Sequence, residues 1–549
     1  MTTQAGASGV KRRDFLKIVG AGTAATAAVG CTSENVGRLI PYVAQPDQTV
    51  SGITNYYATV CREGGGAAGV YASVRDGRVY QLSGNPSHPA SRGALSARSQ
   101  AALQGVYNPD RYRAPMIRQE GQLRQTTWDR ALAVLSQQLG TLRSRGQAAN
   151  AVFINQAELG SFPGFLDQWL AAFGLPAHVS YDAEAPLAVM AANRASYGGV
   201  AWPRVDFGAS RLIVSFSADF LDHWGNVVPQ QLDWADARAK LEGAPRMIYV
   251  GPRRSLTGLN ADEWIPARAG TELAIVNLLR GQLGAAAAAQ QSGVSQAVLE
   301  RLAQEVTAAG NGFVALAGST ASNAGELATA VNALNASAGA VGRAIRPDQA
   351  LPTYARVASH ADVRALVDRM NAGAVPLVMV RGANPAYSSP AQLQFAQAFR
   401  KVPFKVSFSS YPDETSELAD LVLPDHHPLE AWGDAEAGPG QVAIQQPTMD
   451  PVFDTRQTAD ALLSLAHADP TTAARFPQAS YRAFLMGRFP GGAAGWTAAS
   501  PKGVAAGTVL AASAATSPAR AAARHAPALA STEGDYDLVV YPHSLLGDG

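Results

Sequence analysis

Cluster chemistry needs thiolates in number, and this chain of 549 residues has two cysteines, Cys31 and Cys61. A four-iron cluster takes about four thiolates, because each iron completes its tetrahedron with a soft anionic ligand. A cysteine-rich zinc site fails on the same count. Imidazole offers no substitute. The nine histidines are scattered, and the adjacent His426 and His427 do not turn two rings toward one metal. No nucleophile elbow, Gly-Lys phosphate loop or zinc-helix motif occurs. With 44 basic against 43 acidic residues, a net charge of +1 and no basic stripe, nucleic-acid binding has no electrostatic support. The chain by itself cannot hold an iron–sulfur cluster.

The elements that would position a site alternate in type. The length allows three or four domains, and 47% hydrophobic with 16% charged residues suits a packed α/β protein. Residues 71–82 alternate around Asp76-Gly77, a pair that supplies the positive φ angles of a tight hairpin. Trp128, Leu132, Leu135, Leu139 and Leu142 mark a helix, and residues 152–154 a short strand. Phe162, Phe165, Leu166, Trp169, Leu170 and Phe173 then form one apolar helical stripe, read as core. Short apolar strands follow at 212–216, 247–250, 313–316, 377–380, 405–408 and 418–423, with helical stretches between them. That alternation implies parallel sheets covered on both faces. There are too many strands for one small sheet, so two doubly wound domains are expected. Residues 281–293, with five consecutive alanines, read as a lax connector. Residues 491–534, rich in Ala, Gly, Ser, Thr and Pro, read as a linker or a poorly packed insertion. Residues 535–549 begin a strand that cannot bury its own faces, so the chain is expected to end early or continue elsewhere.

The N-terminus carries Lys11-Arg12-Arg13, then Phe15-Leu16-Lys17 and a weakly apolar run over 18–30, too short to span a bilayer. Arg12 and Arg13 before such a run resemble a Tat export signal, which carries folded proteins across a membrane. Residues 28–31 resemble a lipobox with a substandard first position. Lipidation at Cys31, cleavage, and retention of the leader remain open.

Residues 56–115 carry a VRDGRV hairpin (74–79), a GNPSHP turn (84–89), RGALSARSQ (92–100) and YNPDR (107–111). Further on stand LNADEWIPARAGTEL (259–273), RGANP (381–385) and the block DETSELADLVLPD (413–425) followed by LEAWG. In this order they resemble the molybdopterin oxidoreductase superfamily, the dimethyl sulfoxide reductase kind, over about residues 55–460. The resemblance implies an α/β fold: two doubly wound parallel-sheet domains, a small N-terminal β-containing domain and a C-terminal barrel only begun. The expected division is a leader (1–31), a degenerate iron–sulfur domain (51–115), a discontinuous α/β domain (116–200 and 371–465) and a Rossmann-like domain (201–370). Residues 491–534 and 535–549 follow as linker and truncated domain.

The resemblance also places the family's four cluster cysteines on Cys61, Gly64, Ala68 and Ser96, so three are gone. The metal-ligand region falls at residues 179–186, where Ser180 and Asp182 stand and no cysteine does. Loops 217–221, 251–257 and 381–385 would receive the pterin dinucleotides, with Asp219, Gly251, Thr257, Gly382 and Asn384 as vestigial pocket residues. The same residues also serve as turns and helix caps. Asp425, His426 and Glu430 can be assembled into an acid–base set, but the match explains them as a strand end. Molybdopterin guanine dinucleotide and the four-iron cluster are therefore expected to be lost, with clusters in a C-terminal part or a partner. The nearest resemblance is to the cofactor-free half of the large iron–sulfur subunit of alternative complex III. Its implied partners are a multi-haem cytochrome c, integral-membrane quinol-binding subunits and a ferredoxin-like module, on the periplasmic side of a bacterial inner membrane. Two alternatives stand beside it: a working molybdopterin reductase of a small oxyanion or sulfur compound, and a periplasmic scaffold without redox role.

Overall fold

The computed structural model describes residues 50–63, 66–352, 357–511, 536 and 538–543. The chain divides into two units, residues 1–54 and 55–549. Of the first, only 50–54 are described, a turn closed by the Ile53 N–H on the Val50 carbonyl. Arg12, Arg13 and Cys31 lie outside the described residues, as does Gly64.

The second unit opens with an antiparallel sheet of β1 (Asn55–Cys61), β2 (Ala68–Arg75) and β3 (Arg78–Gly84), in that spatial order. Asp76 and Gly77 turn the β2–β3 hairpin with φ of 50° and 75°, the left-handed pair such a turn requires. The inner face, with Val70, Ala72, Val74, Val79 and Leu82, packs with Val106 and Leu429.

The largest sheet has the order β5-β4-β16-β15-β14-β6-β7. Its parallel part is β6 (Val152–Gln156), β7 (Val179–Tyr181), β14 (Leu377–Arg381), β15 (Phe404–Ser407) and β16 (Leu421–Val422). An antiparallel hairpin, β4 (Met116–Gln119) and β5 (Gln122–Gln125), closes one edge. Alternate residues feed two cores. Phe153, Leu377 and Met379 enter one, beneath the helix Phe162–Ala172; Val152, Ile154, Val378 and Val380 enter the other, beneath the helix His360–Asn371. The aromatic stripe of the Phe162 helix is core: Phe165 packs on Tyr481 and Phe484 at ring-centroid distances of 5.2 and 5.0 Å. Between β7 and β14 the chain builds a second sheet, fully parallel, of order β11-β10-β9-β12. It comprises β9 (Leu212–Phe216), β10 (Arg246–Val250), β11 (Glu263–Ile265) and β12 (Phe313–Ala317). A two-stranded ribbon of β8 (Arg204–Val205) and β13 (Ile345–Arg346) stands beside it in the chain. Two parallel sheets covered on both faces, with an N-terminal β region, are the expected α/β fold.

Four local expectations are corrected. Residues 281–293 contain the helix Ala285–Ser292, since an alanine run is the best helix former. The stretch from 491 is no linker at its start: it forms the helix Gly492–Ala499 and β19 (Val504–Ala506). β19 joins β17 (Gly433–Gly438) and β18 (Gln441–Gln445) in an antiparallel sheet. Its small residues serve close approach. A Cβ on Gly495 would sit 2.0 Å from the Pro490 carbonyl oxygen, and one on Gly503 would sit 2.7 Å from the Ala58 Cβ, while Trp496 is buried against Phe489. The strand expected over 418–423 pairs only at Leu421–Val422. Residues 538–543 carry no strand. No helix among the described residues is long and apolar enough to cross a membrane.

Candidate functional site

Cys61 ends β1 opposite Ala68, the first residue of β2, and Ser96 caps the helix Ala97–Val106. Tertiary structure thus gathers these three positions around one short loop. Burial pushes the Cys61 thiol up to about 11, against smaller opposing pulls from the Glu63 backbone and the Ser99 side chain. Ser96 Oγ accepts from the Ser99 N–H at 3.1 Å and lies 3.0 Å from Ser99 Oγ, which donates to the Glu63 carbonyl at 3.0 Å. Between Glu63, Ala68, Ser91, Ser99 and Asn226 a cavity of about 10 Å³ remains, room for about one water. One thiol, a methyl group and a hydroxyl engaged in capping do not match the ligand set of a four-iron cluster.

The carboxyl ends of β6 and β14 are where an open α/β sheet receives ligands. Here buried charges meet. Arg381, the last residue of β14, donates from Nη1 to Glu158 Oε1 at 2.8 Å and to Asn155 Oδ1 at 3.1 Å, and from Nε to Asp425 Oδ2 at 2.8 Å. Its guanidinium carbon lies 4.0 Å from the Phe162 ring centroid. Arg62, one residue beyond Cys61, takes the other Glu158 oxygen at 2.6 Å, the Asp434 carbonyl at 2.8 Å and Gln445 Oε1 at 3.0 Å. Burial alone would raise the Glu158 carboxyl; Arg381 and Arg62 outweigh it and hold the group below its usual range. Asp434 is pushed up by burial, with Ser161 offsetting part of the shift. Ser161 Oγ in turn accepts from the Leu510 N–H at 2.8 Å, so the chain beyond β19 closes over this end.

The expected pocket residues near this edge are engaged structurally. Gly382 has φ 63°. Asn384 accepts from Thr415 Oγ1 at 2.8 Å and donates to Glu414 at 2.6 Å. Ser180 is buried in β7 and accepts through its carbonyl from Ala358. Asp182 accepts from the Glu184 N–H at 2.8 Å, a local turn. Asp425 bonds Arg381 and the Thr458 N–H, while His426 faces Thr455 and Glu430 pairs with buried Arg111 at 2.8 Å. The acid–base set therefore splits three ways. Glu158 and Arg62 escaped sequence reasoning; a lone charge ending an apolar strand, as in Arg381, was the one available signal.

The corresponding edge of the four-stranded sheet is built differently. Ser217 follows β9 in a left-handed conformation, φ 55°, and donates to Glu272 Oε1 at 2.6 Å. Glu272 Oε2 and Asn323 Oδ1 are buried without a hydrogen-bond partner among the described residues. Burial raises the Glu272 carboxyl, with Ser217 opposing. Gly251 gives Ser217 its room: a Cβ there would lie 2.5 Å from Ser217 Oγ and displace that hydroxyl. Buried Asp219 accepts from Arg253 at 2.8 Å and from the Thr257 N–H at 3.0 Å, and Thr257 Oγ1 accepts from the Leu221 N–H. Asp219, Asp222 and His223 offer oxygen and nitrogen atoms within 4.8 Å of one another, but Arg253 already neutralises Asp219. Arg253 also lies over Tyr541, 3.7 Å from its centroid, and Thr320 donates to the Val540 carbonyl at 2.6 Å.

Two parallel sheets with their loops gathered at the strand carboxyl ends, preceded by a small β region, define a doubly wound α/β protein with two open-sheet crevices. The profile of the molybdopterin oxidoreductase family matches residues 111–468, and the chain belongs to that family. It is 28% identical over 501 residues to the menaquinone reductase molybdopterin-binding-like subunit of Nitratidesulfovibrio vulgaris, covering 83% of this chain and 71% of that one. It is 24% identical over 276 residues to the molybdopterin-containing subunit of thiosulfate reductase from Salmonella typhimurium, 49% of this chain but only 34% of that protein. Acetylene hydratase from Pelobacter acetylenicus shares the fold, with a TM-score of 0.66 over 82% of this chain and 74% of that one at 17% identity.

Proposed function

We propose that this molybdopterin oxidoreductase-like subunit is the non-catalytic body of a membrane-associated respiratory quinol:electron-acceptor oxidoreductase of the alternative complex III type. The observation that carries the reading is the donor set at the cluster positions: one buried thiol, Cys61, beside Ala68 and a capping Ser96. An electron arriving at a molybdenum in this chain would find no cluster nearby to relay it. The filled edge at β6 and β14 supports the same reading, as does the relative named as a molybdopterin-binding-like subunit of a menaquinone reductase. The retained role is mechanical: a large folded body docks a ferredoxin-like iron–sulfur module, a multi-haem cytochrome c and quinol-binding membrane subunits. Export by the Tat route would place it on the periplasmic side. Replacing Arg12 and Arg13 by lysine keeps the charge and loses the guanidinium geometry; periplasmic delivery should then stop.

Purified complex should contain substoichiometric molybdenum and no extractable pterin, and deleting residues 55–460 should prevent assembly. Stoichiometric molybdenum, with activity lost on tungstate growth, would establish the second reading instead, a working reductase. The buried unpaired acceptors Glu272 Oε2 and Asn323 Oδ1 favour that alternative, since unsatisfied oxygens at a strand end are what a bound ligand would complete.

A further inference from the structure

We propose that Arg381 is a built-in ligand: its guanidinium, delivered by the chain itself, fills an acid-lined recess at the carboxyl ends of β6 and β14. The recess has the chemistry of a cation site. Glu158 and Asp425 each direct an oxygen at the guanidinium from 2.8 Å, Asn155 adds a third acceptor at 3.1 Å, and the Phe162 ring covers the planar cation at 4.0 Å. These acceptors come from β6 and the loops that follow β6 and β16, whereas the cation comes from β14, so no local turn geometry brings them together. A planar fork reaches both carboxylates and the amide at once, which an ammonium does not. The side chain keeps 20% of its surface exposed and Glu158 11%, so water compensates little for a missing partner.

The two acids have further partners that hold them in place when the cation is removed. Arg62 and Asn155 hold Glu158, while the Thr458 and His426 N–H groups hold Asp425. Truncating Arg381 should therefore leave a formed, negatively lined hole of guanidinium shape. That property separates a built-in ligand from an ordinary structural ion pair, which collapses or is replaced without loss by apolar side chains. The inference goes beyond the proposed function, because it concerns what fills the recess and not what the complex oxidises. Molybdenum content and the experiment below therefore fail separately.

The test is thermal unfolding of the full chain with Arg381→Ala, in guanidinium chloride or sodium chloride at about 10 mM, a concentration that suits a weak site of millimolar Kd. The apparent Tm should fall by roughly 3 °C or more. Guanidinium should restore about a third of the loss, sodium none of it, and the wild type should respond to neither. Combining Arg381→Ala with Asp425→Asn removes the carboxylate left without a cation, while Asn still accepts from the Thr458 and His426 N–H groups. That double variant should melt above the single one and lose its guanidinium response, which keeps the test available if the single variant folds poorly. An unchanged Tm, equal responses to the two salts, or a double variant that still answers to guanidinium would each overturn the proposal.

Discussion

The two strand-end crevices of this molecule share a topology and differ in what closes them. At β6 and β14 the closure is made of opposite charges, each the partner of another: Arg62, Glu158, Arg381 and Asp425. At β9 and β10 it is made of one ion pair, Asp219 with Arg253, a strained serine and a surface contact. Ser217 holds a positive φ against a carboxyl whose second oxygen is unpaired, and Tyr541 lies on Arg253. The first arrangement cannot open without stranding a buried charge; the second loses a cation–π contact and one hydrogen bond, about 1 kcal/mol each or less. The same fold position is thus a locked joint in one sheet and an adaptable edge in the other.

The largest expected effect tests the lock. Glu158→Ala leaves Arg62 and Arg381 facing each other without their shared carboxylate, and should cost about 3–5 kcal/mol in urea unfolding. Asp219→Ala, at the other edge, strands the partly exposed Arg253 and the Thr257 N–H, and should cost about 2–3 kcal/mol. Equal losses would erase the contrast.

Acid should act on the β16 side and beside the N-terminal sheet alike, through His427 and His88. Burial holds His427 at about 4, from an ordinary 6.5. In that window the unfolded chain binds the proton and the folded one does not, so stability falls as pH drops from 6.5 towards 4, by about 1.4 kcal/mol per unit for each histidine. His427→Gln should remove about half of the slope, the rest coming from His88, which burial also holds at about 4.

The two buried glutamates should answer pH with opposite signs. Glu158 has a depressed folded pKa, so its stabilisation is present above the unfolded value and lost as pH falls through the folded one. Glu272 has a raised one, so the folded chain retains the proton longer and stability falls as pH rises from the unfolded value through the folded one. Glu272→Gln should therefore gain up to about 1 kcal/mol at neutral pH, whereas Glu158→Gln should lose stability. A loss in both would show that Glu272 is charged and bound.

The smallest effect is at the surface. Tyr541→Ala should cost about 0.5–1 kcal/mol, raise hydrogen exchange in residues 538–543, and leave exchange near Arg381 unchanged. Protection lost at both edges would mean that the two closures are coupled.

Much of the architecture was legible in the chain. Asp76-Gly77 specified its hairpin because few other pairs adopt two positive φ angles. The run from Phe162 to Phe173 specified a buried helix face by its spacing, and the short apolar strands implied sheets covered on both faces. The count of two cysteines already limited what the cluster positions can ligate. Small residues were misread: alanines at 285–289 and glycines at 495 and 503 have the composition of slack, yet one set builds a helix and the other permits close contact. Composition records what a residue allows, not what approaches it. The partners of Arg381 lie 44 and 223 positions away in the chain, and Glu158 meets Arg62 across 96 more. A charge has no periodicity and no register, so only the packing of three sheets into one body decided which acid each arginine would meet.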